Sequence, residues 1–143
     1  MPTLPWTTPA GAGPHRGAPG TLAMASRFEL ERWRDVPGFF ISALRIRDQM
    51  LQSPGVIGVS LVARPLRRTF FTLSAWRDRA ALNAAVAGQP HAATMARYRT
   101  RMADSAFTFW EPADDSPPDW RDAVARLDEA AEIRAAADGG RTL

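Results

Sequence analysis

The chain has 143 residues, room for one domain with tails but not for two hydrophobic cores. It contains no cysteine, which excludes a disulfide framework, a thiolate nucleophile and a thiolate metal site, and with His15 and His91 as its only imidazoles a zinc centre is not expected. The formal net charge is only +3 and all 18 basic residues are arginine, so the isoelectric point near 10.8 reflects a shortage of groups that titrate between neutrality and arginine.

Arginines at 45 and 47, at 64, 67 and 68, and at 97, 99 and 101 form local clusters without a recognisable nucleic-acid module, and they read as solvated faces. No run is long enough to span a membrane, and the N-terminus lacks the basic start and apolar core of a secretory signal. A cytoplasmic protein with neither a nucleic-acid nor a membrane partner is expected.

Residues 1–20 hold five prolines and four glycines with little periodicity, and read as a flexible extension outside the fold. Residues 21–111 form the domain. Thr21 to Leu30 alternates as a first strand, Asp35 opens a helix that runs to about Gln52, and Ser53-Pro54-Gly55 closes it. Gly55 to Arg64 is a second strand, Pro65 to Arg68 a tight connection, and Thr69 to Trp76 a third strand with apolar bulk on both faces. Asp78 stands where a helix N-cap belongs, with Leu82, Ala85 and Val86 at helical spacing behind it, and Gly88 ends that helix. Pro90 suits a first helical turn, and His91, Met95, Tyr98 and Met102 then fall on one helical face. Ser105 to Glu111 is a fourth strand. Residues 112–137 are a linker and a last helix with Trp120, Val124, Leu127 and Ala131 along one stripe, and residues 138–143 are expected to fray.

The order β-α-β-β-α-β with an added C-terminal helix predicts an α+β, ferredoxin-like sheet. Its two helices cover one face only. Since the second, third and fourth strands are apolar on both parities, the other face needs a cover, most simply a second copy of the same sheet, and a homodimer is expected.

Thr72 to Trp76 with Asp78 and Leu82 after it, Pro54-Gly55 before the second strand, Pro90-His91, and Phe107 to Trp110 together resemble the dimeric α/β-barrel superfamily that includes the antibiotic biosynthesis monooxygenase-like proteins. More loosely, they resemble its spheroidene-monooxygenase-like and haem-degrading members. The resemblance covers residues 21–111. It implies a ligand pocket between sheet and helices and a small oxygenase acting on an aromatic or polyketide-like hydrophobic molecule without metal or flavin. In some haem-degrading relatives a histidine of the second helical region is the axial ligand, and His91 lies in a matching place, which makes haem the alternative cofactor and a non-catalytic or haem-binding dimeric α/β-barrel protein the alternative function. The asparagine those relatives use on their first strand has no counterpart here.

His91 is the candidate base, because imidazole titrates near neutrality; the same position also suits a residue that caps or packs a helix start. Tyr98 and Arg47 are the candidate oxyanion partners. Arg47 falls on the stripe that Phe40, Leu44 and Leu51 define on the first helix, where a guanidinium needs an anion, and Asp48 is a structural alternative. Trp76 and Trp110 are the candidate pocket walls, joined by Phe40, Leu44 and Met95 as substrate-binding residues, although tryptophans at strand ends also serve as core or interface. In this mechanism the base deprotonates a phenolic or enolic substrate and O2 reacts with the carbanion. No metal ligands are assigned.

Overall fold

The computed structural model describes residues 3–8, 21–112 and 118–140. Strands β1 (Thr3–Thr7), β2 (Leu22–Leu30), β3 (Val56–Arg64), β4 (Thr69–Trp76) and β5 (Met102–Trp110) form one antiparallel sheet in the order β1-β3-β4-β2-β5. Helices α1 (Val36–Leu51), α2 (Arg79–Ala87), α3 (His91–Tyr98) and α4 (Trp120–Gly140) complete the fold. The β2-α1-β3-β4-α2/α3-β5 core is the expected ferredoxin-like arrangement.

Alternation along the strands divides the core into two layers. Leu22, Phe28 and Leu30 of β2, Val59 and Ala63 of β3, and Phe70 and Trp76 of β4 face α1, α2 and α3, and pack with Phe39, Met50, Leu82, Ala85 and Tyr98. Helix α1 buries Val36, Phe39, Ala43 and Met50. The expected stripe is therefore one residue off: Phe40, Leu44, Arg47 and Leu51 are half-buried on its shoulder. Small Ala43 lets the helix approach the sheet on the face where the longer side chains of that shoulder would hold it away. Met102 opens β5 instead of ending a helix, because α3 stops at Tyr98 and residues 99–101 form a 3-10 turn; it still packs with the Tyr98 cluster.

The opposite face is covered within the chain. Ala123 and Leu127 of α4 have no exposed surface and pack on Ala25, Phe71, Leu73 and Ala106, with Trp6, Trp110 and Trp120 around them. Burying Leu127 alone contributes about 1.5–3 kcal/mol. Arg27 of β2 pairs with Asp128 at 2.7 Å, Trp120 Nε1 donates to Ser60 Oγ at 3.2 Å, and Arg134 donates to the Ser105 carbonyl at 3.0 Å, which fixes the helix along the sheet. The premise that led to a homodimer, an uncovered second face, is thus removed by the chain's own C-terminal helix. That helix runs through Gly140, beyond the expected end at 137.

The N-terminal segment also joins the fold where an extension was expected. Strand β1 pairs with the edge of β3, Thr3 opposite Val62 and Thr7 opposite Val59, with Pro5 tolerated because the strand is an edge. Trp6 lies against Gly58, where a Cβ would come within 2.3 Å of the indole, so the glycine makes its seat. Residues 9–20 lie outside the described residues.

Two outcomes follow from these covers. Trp6→Ala is expected to cost about 2 kcal/mol in urea unfolding, less than a fully buried tryptophan because Trp6 is only partly buried, and Gly58→Val to cost at least as much through overlap with the indole. A chain ending at residue 117 should bare the Phe71 and Leu73 face and raise the mass measured by light scattering above that of the full chain; an unchanged mass with an intact fold would show that α4 is not the cover.

Candidate functional site

The residues that carry the family resemblance build the strand-to-helix junction. Gly55 has φ 85°, a conformation that favours glycine, and a Cβ there would meet Ala81 at 2.6 Å. Its carbonyl accepts from Arg77 N at 2.7 Å, and Asp78 caps α2 by accepting from Ala81 N at 2.8 Å. Gln49 of α1 ties the next junction, donating to the Ala85 carbonyl and accepting from His91 N, both at 2.9 Å.

His91 opens α3, half-buried, with Nδ1 3.1 Å from the Val86 carbonyl. A carbonyl only accepts, so Nδ1 carries the proton and Nε2 keeps its lone pair. Burial pushes the imidazole pKa below its ordinary 6.5, partly offset by the Val86 carbonyl, which favours the charged ring. At neutral pH the ring is an uncharged acceptor, the state a base requires.

The other predicted residues are dispersed. Tyr98 is 4% exposed and packs edge-on against Phe39 at 5.0 Å, with its hydroxyl against Gly38. Phe40 and Met95 pack on the same cluster, Phe40 tilted toward Phe70, while Leu44 is half-buried on α1. Arg47 points to the sheet edge: it donates to Thr7 Oγ1 of β1 at 2.8 Å and lies 3.8 Å from Asp48, with its Nε buried and unpartnered among the described residues. Trp76 has no exposed surface and donates to Ser74 Oγ at 2.9 Å. Trp110 stands on the opposite face of the sheet, under Arg126 of α4 at 4.7 Å. The two tryptophans do not share a pocket. Leu22 pairs with Trp76 and Ala23 with Trp110, and successive residues of β2 point to opposite faces.

The sheet has an open floor elsewhere. Phe107 and Phe109 of β5 are opposite Ser26 and Met24 of β2, on the side that faces α1 to α3, yet they remain 47% and 42% exposed. Phe107 stacks edge-on against Phe28 at 5.4 Å, and the Arg79 guanidinium of α2 lies 4.4 Å from the Phe109 ring centre. Asn83 and Val86 follow Arg79 at i+4 and i+7, so this side of α2 is turned toward the floor, and Val86 is 38% exposed. Two phenyl rings with a cation above one of them make an apolar surface with a polar margin. Sequence reasoning missed the floor and Arg79. Strand parity held the signal, but the register of β5 against β2 did not show in the sequence.

Among the described residues no group of three or more His, Asp or Glu side chains is placed to hold a metal ion, and no helix is long and apolar enough to cross a membrane.

The lowered pKa of His91 sets a pH dependence. Above 6.5 both folded and unfolded chains hold the ring neutral; as pH falls below 6.5 the unfolded chain takes the proton first, so stability is lost through that window until the folded-state pKa is passed. His91→Ala should flatten the fall in urea-unfolding stability as pH drops below 6.5.

No family model and no curated protein sequence matches this chain. Solved structures do. The cofactor-independent oxygenase SnoaB from Streptomyces nogalater is 16% identical over 70% of this chain and 99% of its own, with a TM-score of 0.52. An antibiotic biosynthesis monooxygenase is 14% identical over 64% of this chain and 98% of its own, at 0.58, and Rv0793 from Mycobacterium tuberculosis is 15% identical over 68% and 99%, at 0.60. About a third of this chain lies outside the shared part. At such identities the likeness is one of architecture: the chain is built on the ferredoxin-like α+β fold of the antibiotic biosynthesis monooxygenase-like structures.

Proposed function

We propose that the chain is a small monooxygenase-like enzyme whose substrate, an aromatic or polyketide-like hydrophobic molecule, lies on the Phe107 and Phe109 floor beneath α2. The carrying observation is the exposure of two phenyl rings on the helix-facing side of the sheet with a guanidinium over one of them. Flat rings bind flat substrates by burying apolar area, and Arg79 offers the positive charge that a phenolate or enolate needs. Arg79 takes the role that the sequence suggested for Arg47, whose guanidinium is engaged at the β1 edge.

His91 is the proposed base. With Nδ1 committed to Val86, Nε2 accepts a substrate proton; the carbanion so formed passes electrons to O2, and the resulting hydroperoxide loses water to leave a carbonyl. One oxygen atom ends in the product and one in water, and no cofactor is consumed. SnoaB is a cofactor-independent oxygenase of the same fold, which supports this chemistry as the first to test.

Oxygen uptake with a panel of polycyclic phenols and enolisable aromatic ketones, followed by mass spectrometry under labelled O2, tests the reading. One labelled oxygen in the product is expected, with turnover lowered about 100-fold or more by Arg79→Gln and His91→Ala. Phe109→Ala should raise KM more than it lowers kcat. If no substrate drives oxygen uptake and Phe109→Ala leaves ligand binding unchanged, the floor is not a substrate site. Haem is the rival ligand, since a ring held through Nδ1 presents Nε2 as an axial donor does. The described polar partners of His91, an amide and a carbonyl, provide no cation for a propionate. A Soret shift lost in His91→Ala on titration with haemin would favour that rival.

A further inference from the structure

Arginine clusters that are separate in sequence meet at one end of the sheet. The end of β2, the β3-β4 hairpin and the start of β5 lie side by side there: Leu30 N donates to the Arg68 carbonyl at 2.9 Å and Glu31 N to the Arg101 carbonyl at 3.0 Å. These turns carry Arg32, Arg34, Arg64, Arg67, Arg68, Arg99 and Arg101 against Glu31 and Asp35. Glu29 and Asp104, the next carboxylates inward, are opposite each other across β2 and β5. Asp35 is engaged by Arg101 at 3.2 Å, and Arg32, Arg34 and Arg101 line a cleft of about 360 Å³ beside it. Counted against all four carboxylates, the seven arginines leave this end at +3, a charge equal to that of the whole chain concentrated at one end of the sheet.

Two large apolar side chains project among these cations. Leu66, in the hairpin turn, is 84% exposed, and Trp33, in the turn after β2, is 52% exposed. Arg68 joins them. It sits in the same hairpin at φ 52°, a left-handed conformation that strains a side chain and usually selects glycine. Here the arginine uses the position: its Nε donates to the Leu30 carbonyl at 3.0 Å, and its guanidinium lies 5.3 Å from the Trp33 ring.

We propose that this arginine-rich end is a peripheral docking surface for an anionic lipid bilayer, with Leu66 and Trp33 entering the interfacial layer and the guanidinium groups pairing with lipid phosphates. Charge complementarity selects an anionic partner. The apolar groups select a bilayer from among anionic partners: they are single side chains at turn tips ringed by cations, which suits insertion between headgroups, where indole rings accumulate. A nucleic acid would use the tryptophan for stacking but gains nothing from an aliphatic tip. The surface is independent of the proposed oxygenase chemistry, and its test does not depend on turnover.

The full chain is mixed with vesicles of phosphatidylcholine alone or of equal parts phosphatidylcholine and phosphatidylglycerol, then sedimented. Binding to the anionic vesicles only, weakened by added salt, is expected, with about a fivefold loss of partitioning for each of Arg32→Gln, Arg34→Gln and Arg67→Gln. Leu66→Asp and Trp33→Ala should also release the protein, while Ile133→Asp, at an exposed apolar position of α4, should not. Thermal melts confirm folding, and Leu66→Ser replaces any Leu66→Asp protein that does not fold. Equal binding to both vesicle types, no binding to either, or indifference to the Leu66 and arginine changes overturns the proposal. So does capture of a single-stranded oligonucleotide through the same arginines without vesicle binding.

Discussion

Strand β4 has no solvent side. Phe70, Ser74 and Trp76 are buried toward α1 to α3, and Phe71, Leu73 and Ala75 are buried toward the opposite face. A sheet centred on such a strand has to be covered twice, and the rest of the fold answers that requirement. Two short helices and α1 take one face; α4 and Trp6 take the other. Ala23, Ala25 and Ala106 on the α4 face, with Gly58 under Trp6, keep that layer thin enough for both to seat directly on the sheet.

The covers are unequal in width, and the open floor results. Helices packed side by side are about 10 Å apart, so α1 and the α2-α3 pair roof about 20 Å, while five strands at about 4.8 Å extend somewhat further. Helix α1 leans toward β3, where Arg47 reaches the edge strand β1, which leaves β5 at the unroofed margin. Phe107 and Phe109 are thus residues of core type at core parity without a full cover. Their exposure beside Arg79 is the feature on which the proposed substrate site rests.

Local patterns made most of the fold legible and left its long-range pairings out. Period-two and helical spacing located β2, α1, β3, β4 and α2, and the Asp78 cap and Gly88 stop are where the chain chemistry put them. Strand β1 was illegible because its reason for pairing is remote: a proline-containing segment becomes a strand only because Gly58, some fifty residues later, leaves a seat for Trp6. The stripe on α4 was readable, but which face it would cover was not, and a second copy stood in for it. At the site the limit was register. Trp76 and Trp110 look alike at the ends of two strands, and only their pairing with adjacent residues of β2 puts them on opposite faces.

Helix α4 is joined to β5 by residues 111–119. Covalent connection gives it an effective concentration on the order of millimolar for its own sheet. The same helix docked on the sheet of a second chain would make identical contacts, so the two arrangements differ in connection entropy and not in interface chemistry. Below millimolar chain concentration the tether favours self-docking. Shortening the connection until it no longer spans the distance would reverse that preference, turning the helix that closes one copy into an arm exchanged between two.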